Sequence, residues 1–386
     1  MNKELRVVAV VPSLNPDEKL KSVVEGLLEQ GFFKVLLVDD GSSEDHKHRF
    51  AECVALDEKV ELLVHEVNRG KGAAMKTAFA HILEKYPKCE GAVTVDGDAQ
   101  HHPEDCRNCA EKMMEKDCVI LGVRDFSGPD VPKRSRMGNR ITSLVFKLFC
   151  GMKLSDTQTG LRAFPIDVLP QMLKTRGERY EYETQMLLDF KSLKIPYAEE
   201  RIRTVYIEEN QTSHFRVVKD SFRIYRMILA HFFKYSITSF AAYLLEYALY
   251  SGVTVLMNTT GDYDLIAVTV VAFVAARAVS SVFNFFMNQK FVFKAKCSIK
   301  KSLWKYYAVC IPLAILGLAF NTAGVGGAVW LDFLPPAVEE YVNLIIHPLV
   351  QVVMFLFTFA VQREWVYKTD SKHRFKRIKK SHKNKK

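Results

Sequence analysis

Four long apolar segments divide this chain into two unlike parts. They lie near residues 232–257, 265–289, 303–331 and 341–363. Each is longer than the roughly 18–20 residues that a helix needs to cross about 30 Å of hydrocarbon. Up to about residue 219, short apolar runs alternate instead with amphipathic stretches, which is typical of a soluble α/β protein. We therefore expect an α/β domain followed by a four-helix all-α transmembrane domain.

The positive charges around the apolar segments predict their orientation. The connection after the second segment, QKFVFKAKCSIKKSLWK, holds six lysines, and residues 363–386 hold eleven Lys and Arg. The connections NTTGDYD and LDFLPPAVEEY hold none. This asymmetry predicts an integral plasma membrane protein with four spans, whose termini and α/β domain are cytoplasmic. The basic tail, residues 368–386, is expected to lie on anionic headgroups at roughly 1 kcal/mol per charge rather than to bind nucleic acid.

The first part of the chain shows a regular alternation of strand and helix patterns. Strands are predicted at 5–12, 34–39, 60–65, 91–95 and 118–123, and helices at 17–30, 44–56, 71–85 and 103–115. This order indicates a mainly parallel, Rossmann-like sheet with helices on both faces. Ligands of such sheets bind at the carboxyl ends of the strands. Polar clusters at 39–42, 68–72, 96–98 and 122–124 all fall at that edge.

The stretch VTVDGDAQHHPE, residues 93–104, places two aspartates directly after a buried strand. Two carboxylates so close repel each other and lose hydration unless something neutralises them. Mg²⁺ or Mn²⁺, which commonly bind through one or two carboxylates and phosphate oxygens, would do so. The alternative is a pair of solvated aspartates in a turn. Gln100 and His101 nearby, and Asp39 and Asp40 at the neighbouring strand end, favour a metal site.

Eight ordered motifs in this part resemble one enzyme family. They are VVPSLNPDEKL, VLLVDDGSSE, NRGKGAAM, DGDAQHHPED, LGVRD, SRMGNR, SDTQTGLRAF and YEYETQML. Residues 1–214 resemble a glycosyltransferase of family 2 with the GT-A fold, close to the polyprenyl-phosphate sugar synthases typified by dolichol-phosphate mannose synthase. The resemblance implies that the metal lies on Asp96, Asp98 and Gln100. It also implies a nucleotide-binding set made of Pro12, Leu14, Asp17, Asp39, Asp40, Lys71 and Asp96.

One departure from the family concerns the donor. Family members often have Tyr-Asn-Glu after the first strand, whereas this chain has Leu14-Asn15-Pro16-Asp17. The choice between a UDP-sugar and a GDP-sugar therefore stays open.

The expected chemistry needs cations more than a base. A metal held by Asp96 and Asp98 stabilises the leaving diphosphate as the sugar's anomeric carbon is attacked. A lipid-phosphate acceptor is already an anion, so what the site needs is positive charge that brings two anions together. Arginine suits this task because it binds phosphate through two hydrogen bonds. The predicted acceptor-phosphate set is Arg124, Lys133, Arg134, Arg136 and Arg140.

Within that set, Arg124 and Arg136 match phosphate-binding positions of the family and join Asp96 and Asp98 as predicted catalytic residues. For Lys133, Arg134 and Arg140, a basic face resting on the membrane is an equal alternative. A further group, Asp156, Gln158 and Arg162 in DTQTGLR, fits the family pattern or forms a structural turn.

Residues 215–231 are predicted to form an amphipathic interfacial helix just before the first span. Its apolar side would comprise Val217, Val218, Phe222, Tyr225, Ile228 and Leu229, with Lys219, Arg223 and Arg226 on another side. An ordinary helix that packs on a core has a similar pattern.

Residues 232–367 resemble the GtrA-like membrane proteins, most clearly in AARAVSSVFNFFMNQKFVF and FAVQREWVY. The resemblance implies a part in moving polyprenyl-phosphate-linked sugars across the membrane. Arg277, Asn284 and Asn288 share one predicted helix face, and a buried Arg277 needs a partner, for which Glu246, His347 and Gln351 are available. The alternative is a structural polar network between helices. Small residues in NTAGVGGA would permit a homo-oligomer.

These features predict metal-dependent, inverting transfer of a sugar from a nucleotide-sugar to undecaprenyl or dolichyl phosphate at the cytoplasmic membrane face. Two other functions are kept as alternatives. A processive polysaccharide synthase would also join such a domain to spans, but its Gln-x-x-Arg-Trp signature is absent, and residues 362–365 read QREW. A non-catalytic lipid-sugar carrier would lose the metal site, whereas Asp96 and Asp98 are intact.

Overall fold

The computed structural model describes residues 5–128, 131, 133–203, 217–261, 265–295, 297–330, 352–353 and 355–367. The chain divides between Met227 and Ile228 into a first unit, which contains the sheet, and a second, helical unit. The basic tail, His347 and Gln351 lie outside the described residues.

All nine elements predicted for the first unit are present. They are β1 (Leu5–Ser13), α1 (Lys19–Glu29), β2 (Phe32–Asp39), α2 (Glu44–Val54), β3 (Val60–Val64), α3 (Lys71–Lys85), β4 (Gly91–Thr94), α4 (Pro103–Lys116) and β5 (Val119–Arg124). The unit continues with α5 (Lys133–Val145), a π-helical turn (Phe146–Cys150), β6 (Arg162–Pro165), α6 (Leu169–Met172), α7 (Glu181–Leu193) and β7 (Tyr197–Ile202).

The seven strands form one mixed sheet with the order β3-β2-β1-β4-β6-β5-β7. Strand β6 runs antiparallel to both of its neighbours, β4 and β5, and the other pairs are parallel. The sequence prediction did not include β6, because four residues beginning with an arginine give no alternating pattern. Its insertion keeps β4 and β5 parallel to each other, so the carboxyl ends of β1, β2, β4 and β5 still meet at one edge.

The core of the first unit lies between the sheet and the helices that cover it. Residues 7–11 of β1 are fully buried, as expected of a central strand covered on both faces. Cys106 and Cys109 in α4 are free and buried in the same core. Both side chains therefore contribute to the packing of α4 on the core.

The described residues of the second unit lie mainly in long helices, the first of which begins in the first unit. Helix α8 (Val217–Thr260) is followed by α9 (Leu265–Met287) and α10 (Ile299–Trp330), and residues 355–361 are helical up to a π-helical turn (Gln362–Val366). The predicted interfacial helix and first span are therefore parts of one continuous helix. Within the described residues, one stretch, Ile224–Thr260, is long and apolar enough to cross a membrane. Most of the fourth predicted span lies outside the described residues.

The close approach of β4 and β6 yields a stability prediction. A Cβ atom built on Gly91 lies 2.1 Å from the carbonyl oxygen of Phe164 on β6. Gly91→Ala should therefore push the two strands apart and destabilise the first unit by about 2–3 kcal/mol. Scanning calorimetry of the full chain in detergent should show its melting temperature lowered by roughly 4–8 °C.

Gly138→Ala is the matched control, because a Cβ atom there meets nothing within 4 Å. Since alanine favours a helix by up to about 1 kcal/mol over glycine, this variant should melt at the wild-type temperature or slightly above it. Equal melting of both variants would contradict the tight pairing of β4 with β6.

Candidate functional site

A cavity of about 620 Å³ opens at the carboxyl edge of the sheet. Its walls come from the turns that follow β1, β2 and β4 and from the segments that precede α3 and α7. The lining residues are Pro12, Ser13, Leu14, Asn15, Pro16, Asp17, Asp40, His46, Asn68, Gly70, Lys71, Asp96, Gly97, Asp98, Arg179 and Tyr180. Apart from Asp39, this wall includes every residue of the predicted nucleotide-binding set.

The turn after β1 is tied to the turn after β2. Asn15 has a φ of 48°, a left-handed conformation that asparagine tolerates better than most residues. Its backbone N–H donates to Ser42 Oγ at 2.8 Å, and its Oδ1 accepts from the Ser43 N–H at 2.9 Å. His46 Nδ1 lies 2.9 Å from the carbonyl oxygen of Pro16. These bonds hold the unusual Leu-Asn-Pro-Asp segment in one shape against the cavity.

The neighbouring aspartates after β2 have different positions. Asp40 lies on the cavity wall, where its oxygens accept from the backbone N–H groups of Arg69 at 3.0 Å and Gly70 at 2.7 Å and lie 2.8 Å from His65 Nδ1. Asp39 is 2% exposed and accepts from the Ser42 N–H at 2.8 Å. Asp39 therefore shapes the turn next to the wall, and its place in the nucleotide-binding set stays a prediction.

Lys71 joins two carboxylates at the first residue of α3. Its Nζ lies 2.7 Å from Asp96 Oδ1 and 2.9 Å from Glu183 Oε1. Burial alone would lower the pKa of Lys71, but the charges of Asp96 and Glu183 outweigh it and hold that pKa above its usual range. Burial would likewise raise the pKa of Asp96, but the Lys71 ammonium and His101 hold it well below the usual range. Asp96 is therefore a charged carboxylate.

For Asp98 the balance is the reverse, because Lys71 and His101 only partly offset the effects that raise its pKa. Burial, and then the negative charge of Asp96, raise the pKa of Asp98, while the Gln100 backbone N–H donates to its Oδ1 at 3.1 Å. Beside it, both ring nitrogens of His101 are buried without a hydrogen bond among the described residues, and Nε2 lies 3.5 Å from Asp96 Oδ2. Added positive charge here would offset the repulsion between the two aspartates.

The donor set fits a hard divalent cation in chemistry. Asp96 and Asp98 face one cavity and supply the carboxylate oxygens that Mg²⁺ and Mn²⁺ prefer, and the Gln100 amide oxygen would be a suitable third ligand. Within the described part of the chain, no cluster of three or more His, Cys, Asp and Glu side chains is preformed around a metal position. The Lys71 ammonium takes the place of a cation on Asp96 in this arrangement.

The predicted phosphate-binding residues do not line this cavity. Arg124 forms a two-pronged pair with the fully buried Asp156, through Nε to Oδ2 at 2.7 Å and Nη2 to Oδ1 at 3.2 Å. Arg136 Nη2 donates to the carbonyl oxygen of Gly128 at 2.6 Å, and its Nε is buried without a hydrogen bond among the described residues. The Asp156 carboxylate thus fixes the plane and direction of the Arg124 guanidinium.

The remaining predicted residues fall into two groups. Lys133 and Arg140 are exposed on α5, and the Arg134 side chain lies outside the described atoms.

Arg162 is fully buried and donates from Nη1 to the carbonyl oxygen of Glu183 at 2.7 Å, in the first turn of α7. Burial lowers the pKa of Arg162 despite nearby carboxylates. The Gln158 N–H donates to Asp156 Oδ1 at 2.9 Å and closes a turn. These contacts favour the structural alternative for Arg162 and Gln158.

Sequence reasoning assigned no role to several residues at the site. Glu183 pairs with Lys71, and His46, Arg179 and Tyr180 line the cavity. The motif YEYETQML contained Glu183 but gave no reason to place it beside a lysine more than a hundred positions earlier. Its position in the first turn of α7 follows from the sheet topology.

In the second unit, Glu246, one of the three partners predicted for Arg277, forms an ion pair with it, although the Arg277 side chain is 61% exposed and not buried as expected. Arg277 Nη1 lies 3.2 Å from Glu246 Oε2, which also accepts from Ser280 Oγ at 2.9 Å. This ion pair joins α9 to α8.

A second polar group in this unit centres on Asn288. Its Nδ2 donates to Asn284 Oδ1 at 3.0 Å and to Gln362 Oε1 at 3.3 Å, and its Oδ1 accepts from Thr238 Oγ1 at 2.9 Å. Asn284 Nδ2 in turn lies 3.4 Å from the Tyr306 hydroxyl. These bonds join α8, α9, α10 and the turn at 362–366, which favours the structural-network interpretation for the two asparagines.

Comparison with known proteins places the first unit among glycosyltransferases. The family model described as "Glycosyl transferase family 2" matches residues 8–194. The UDP-N-acetylglucosamine–dolichyl-phosphate N-acetylglucosaminyltransferase of Methanococcus voltae is 27% identical over 244 residues, covering 58% of this chain and 95% of the relative. The undecaprenyl-phosphate mannosyltransferase of Micrococcus luteus is 27% identical over 194 residues, covering 50% and 79%.

Among solved structures, glucosyl-3-phosphoglycerate synthase from Mycobacterium tuberculosis, crystallised with Mn²⁺, UDP and glucosyl-3-phosphoglycerate, is 14% identical to this chain. The match covers 58% of this chain and 78% of that one, with a TM-score of 0.45.

The bonds to Asp40 yield a prediction for the cavity wall. Asp40→Ala leaves two backbone N–H groups and the His65 ring without their acceptor, which should destabilise the first unit by roughly 2–5 kcal/mol. Calorimetry of the full chain in detergent should show the loss as a lower melting temperature. Asp45→Ala on the exposed side of α2 is the control and should melt within about 1 °C of wild type. Equal melting of the two variants would contradict the role assigned to Asp40.

Proposed function

We propose that this glycosyltransferase, whose residues 8–194 match family 2, transfers a sugar from a nucleotide-sugar to a polyprenyl phosphate at the cytoplasmic membrane face. The observation that carries the proposal is the cavity at the carboxyl edge of the sheet, where Asp96 and Asp98 face the same space as the tied turns after β1 and β2. The acceptor is proposed from the two relatives, whose names specify dolichyl phosphate and undecaprenyl phosphate.

The proposed donor lies with its nucleotide against residues 12–17 and its diphosphate near Asp96 and Asp98. Asp96, Asp98 and Gln100 would hold Mg²⁺ or Mn²⁺, which supplies Lewis-acid stabilisation of the leaving diphosphate. Lys71 at the start of α3 adds a fixed positive charge to the same wall. His46 and Asn15 lie where base recognition would be decided, and we propose either a UDP-sugar or a GDP-sugar.

The acceptor phosphate is proposed to bind near Arg124 and Arg136. Asp156 orients Arg124 through two hydrogen bonds, so little conformational entropy would be lost when the guanidinium binds a second anion. The Nε of Arg136 is buried and has no hydrogen bond among the described residues, so a phosphate oxygen would be a suitable acceptor for it. Because the phosphate is already an anion, in-line attack on the anomeric carbon needs no general base and inverts its configuration.

The second unit is proposed to be a GtrA-like domain with four spans. The apolar stretch Ile224–Thr260 supports the first span, and the Arg277–Glu246 pair supplies the internal partner that a membrane arginine needs. We propose that both termini are cytoplasmic and that this domain assists movement of the lipid-linked sugar. Association into homo-oligomers is part of the same proposal.

The experiment that tests the proposed function measures transfer directly. The purified full chain is incubated with undecaprenyl phosphate and labelled UDP-sugars or GDP-sugars, with Mn²⁺ or Mg²⁺ or with EDTA. Label from one donor should enter the organic phase, only when metal is present, as a product with inverted anomeric configuration. Release of long, lipid-free polymer would replace the proposal with a processive synthase. Folded protein that transfers from no donor would favour a non-catalytic carrier.

The assigned role of Asp98 predicts the effect of an isosteric change. Asp98→Asn keeps the size of the side chain but removes its charge, so the transfer rate should fall by roughly 100-fold or more. Titration with Mn²⁺ should not restore the rate to that of wild type. Asp45→Asn, an exposed carboxylate on α2, is the control and should leave the rate unchanged. Equal rates for the Asp98 variant and wild type would remove the metal role.

The Arg124–Asp156 pair predicts that a change at Arg124 affects the KM for the acceptor and not the KM for the donor. Arg124→Lys keeps a charge but loses the two-pronged geometry, so the KM for polyprenyl phosphate should rise about 10-fold with little change for the donor. Asp156→Asn should raise the same KM, and the double variant should be no worse than the poorer single variant. Additive losses, or an effect on donor KM alone, would place Arg124 outside the acceptor site.

A further inference from the structure

The second unit contains one structural pattern twice. Helix α9 passes into a π-helical turn (Asn288–Val292) followed by Phe293, and the helix over residues 355–361 passes into the π-helical turn Gln362–Val366 followed by Tyr367. A Lys-Tyr pair precedes each of these helices, on α8 at residues 234–235 and on α10 at residues 305–306. We name residues 232–293 repeat 1 and residues 303–367 repeat 2.

Matching residues make matching contacts inside each repeat. Lys234 Nζ lies 5.9 Å from the centroid of the Phe291 ring, in the turn that ends repeat 1. Lys305 Nζ lies 5.4 Å from the centroid of the Trp365 ring, in the turn that ends repeat 2. The start of each repeat therefore meets its own end, as in an antiparallel helical hairpin.

Contacts between the two repeats occur in reciprocal pairs. The ring centroids of Phe293 and Phe359 are 6.0 Å apart with an interplanar angle of 31°, and those of Tyr367 and Phe285 are 5.9 Å apart at 37°. Phe285 and Phe293 of repeat 1 have the same places as Phe359 and Tyr367 of repeat 2, before and after the π-helical turn. Such an exchange, in which each copy offers the same two residues to the other, is the pattern of a two-fold interface.

Equivalent residues of the two repeats also contact each other. Asn288 and Gln362 are the first residues of the two turns, and Asn288 Nδ2 donates to Gln362 Oε1 at 3.3 Å. The rings of Phe293 and Tyr367 stack with their centroids 5.0 Å apart and their planes at 19°. A residue meets its own counterpart only close to a two-fold axis. Since each repeat is an antiparallel hairpin, both repeats begin at the same end and this axis runs along the helices.

Two buried tyrosines extend the contact between the repeats. Tyr235 of repeat 1 lies 5.1 Å from Phe359, and Tyr306 of repeat 2 lies 5.5 Å from Phe285, measured between ring centroids. The connecting segment at this end of the helices, QKFVFKAKCSIKKSLWK, carries six lysines and is predicted to be cytoplasmic. We call the following six side chains the aromatic seam: Tyr235, Phe285, Phe293, Tyr306, Phe359 and Tyr367.

We propose that the second unit is a two-fold repeat and that its aromatic seam is a gate, which parts when the sugar of the lipid-linked product enters the unit from the cytoplasmic side. The inference rests on the proposed role of this unit in moving that lipid. Two like halves that meet along an axis can rock apart at their boundary with little change inside either half. A sugar cannot leave water for hydrocarbon without polar partners, and the amides of Asn284, Asn288 and Gln362 lie at this boundary.

A disulfide across the seam tests the gate. Phe293 and Tyr367 are both replaced by cysteine in a chain that also carries Cys297→Ser and Cys310→Ser, so that two partly exposed native thiols are removed. The full chain is reconstituted in liposomes that contain undecaprenyl phosphate, and the labelled nucleotide-sugar is added outside. Two rates are measured: the rate at which label enters the lipid, and the rate at which the labelled lipid becomes protected from periodate added outside.

We expect the disulfide to leave transfer within about twofold of the reduced chain and to slow protection at least about tenfold, because the gate is locked. Reduction with dithiothreitol should restore the rate of protection. Lys234→Cys with Phe291→Cys is the matched control, since it places the same kind of link inside repeat 1. This control should leave both rates unchanged.

The possible outcomes separate the gate from the proposed function. Protection that continues at full rate across a locked seam would overturn the gate alone. A lipid product that the reduced chain forms but does not move would overturn the role of the second unit in movement, and the gate with it. A folded chain that forms no lipid product would overturn the transferase as well. Failure of the cysteine pair to cross-link would contradict the contact between Phe293 and Tyr367.

The repeat itself predicts matched losses of stability. Phe285→Ala and Phe359→Ala each remove a ring that is at most 1% exposed from equivalent places. Calorimetry of the full chain in detergent should show the melting temperature of the second unit lowered by at least about 3 °C in each variant, with the two losses within about twofold of each other. Phe286→Ala, at a position that is 38% exposed, is the control and should cost less than about 2 °C. A large loss in only one of the two equivalent variants would contradict the two-fold arrangement.

Discussion

Lys71 Nζ lies 2.7 Å from Asp96 and 2.9 Å from Glu183, so one ammonium group holds together the start of α3, the end of β4 and the start of α7. Without the Lys71 ammonium, the carboxylates of Asp96 and Glu183 would repel each other in a partly buried position. Only the uptake of a proton by one of them would relieve that repulsion. The pair explains why Asp96 is charged although it lies at the edge of the core. One ammonium group does not neutralise a further carboxylate, and burial and the charge of Asp96 raise the pKa of Asp98. A divalent cation is therefore chemically suited to the cavity.

The mixed sheet provides the framework for this pair. Antiparallel β6 lies between β4 and β5. The buried side chain of its first residue, Arg162, donates a hydrogen bond to the backbone carbonyl oxygen of Glu183. On the cavity side, a Cβ atom at Gly160 would lie 2.2 Å from Asp96 Oδ2, so the chain before β6 approaches that carboxylate as only glycine allows. The cavity is therefore shaped by strand order as much as by its lining side chains, and the proposed donor and acceptor regions lie on either side of β6.

The sequence allowed strands β1 to β5, their carboxyl edge and Glu246 as one of three partners for Arg277 to be predicted, because each follows from a local pattern or from the cost of an isolated charge. It could not distinguish Asp39 from Asp40. Both precede the same glycine, and only the direction in which each side chain leaves the strand end places one on the wall and the other behind it. Strand β6 and the pairing of Glu183 with Lys71 were missed for a related reason, since both depend on contacts between distant segments.

The proposed binding of a divalent cation to Asp96 and Asp98 in the presence of a nucleotide can be measured directly by electron paramagnetic resonance of Mn²⁺. Free Mn²⁺ gives a sharp signal that is lost on binding, so the full chain can be titrated with and without UDP or GDP. We expect one tightly bound Mn²⁺ per chain in the presence of one of these nucleotides, weaker binding in its absence, and no binding of comparable affinity in Asp98→Asn. Binding of Mn²⁺ that is unchanged by nucleotide and equal in the variant would contradict it.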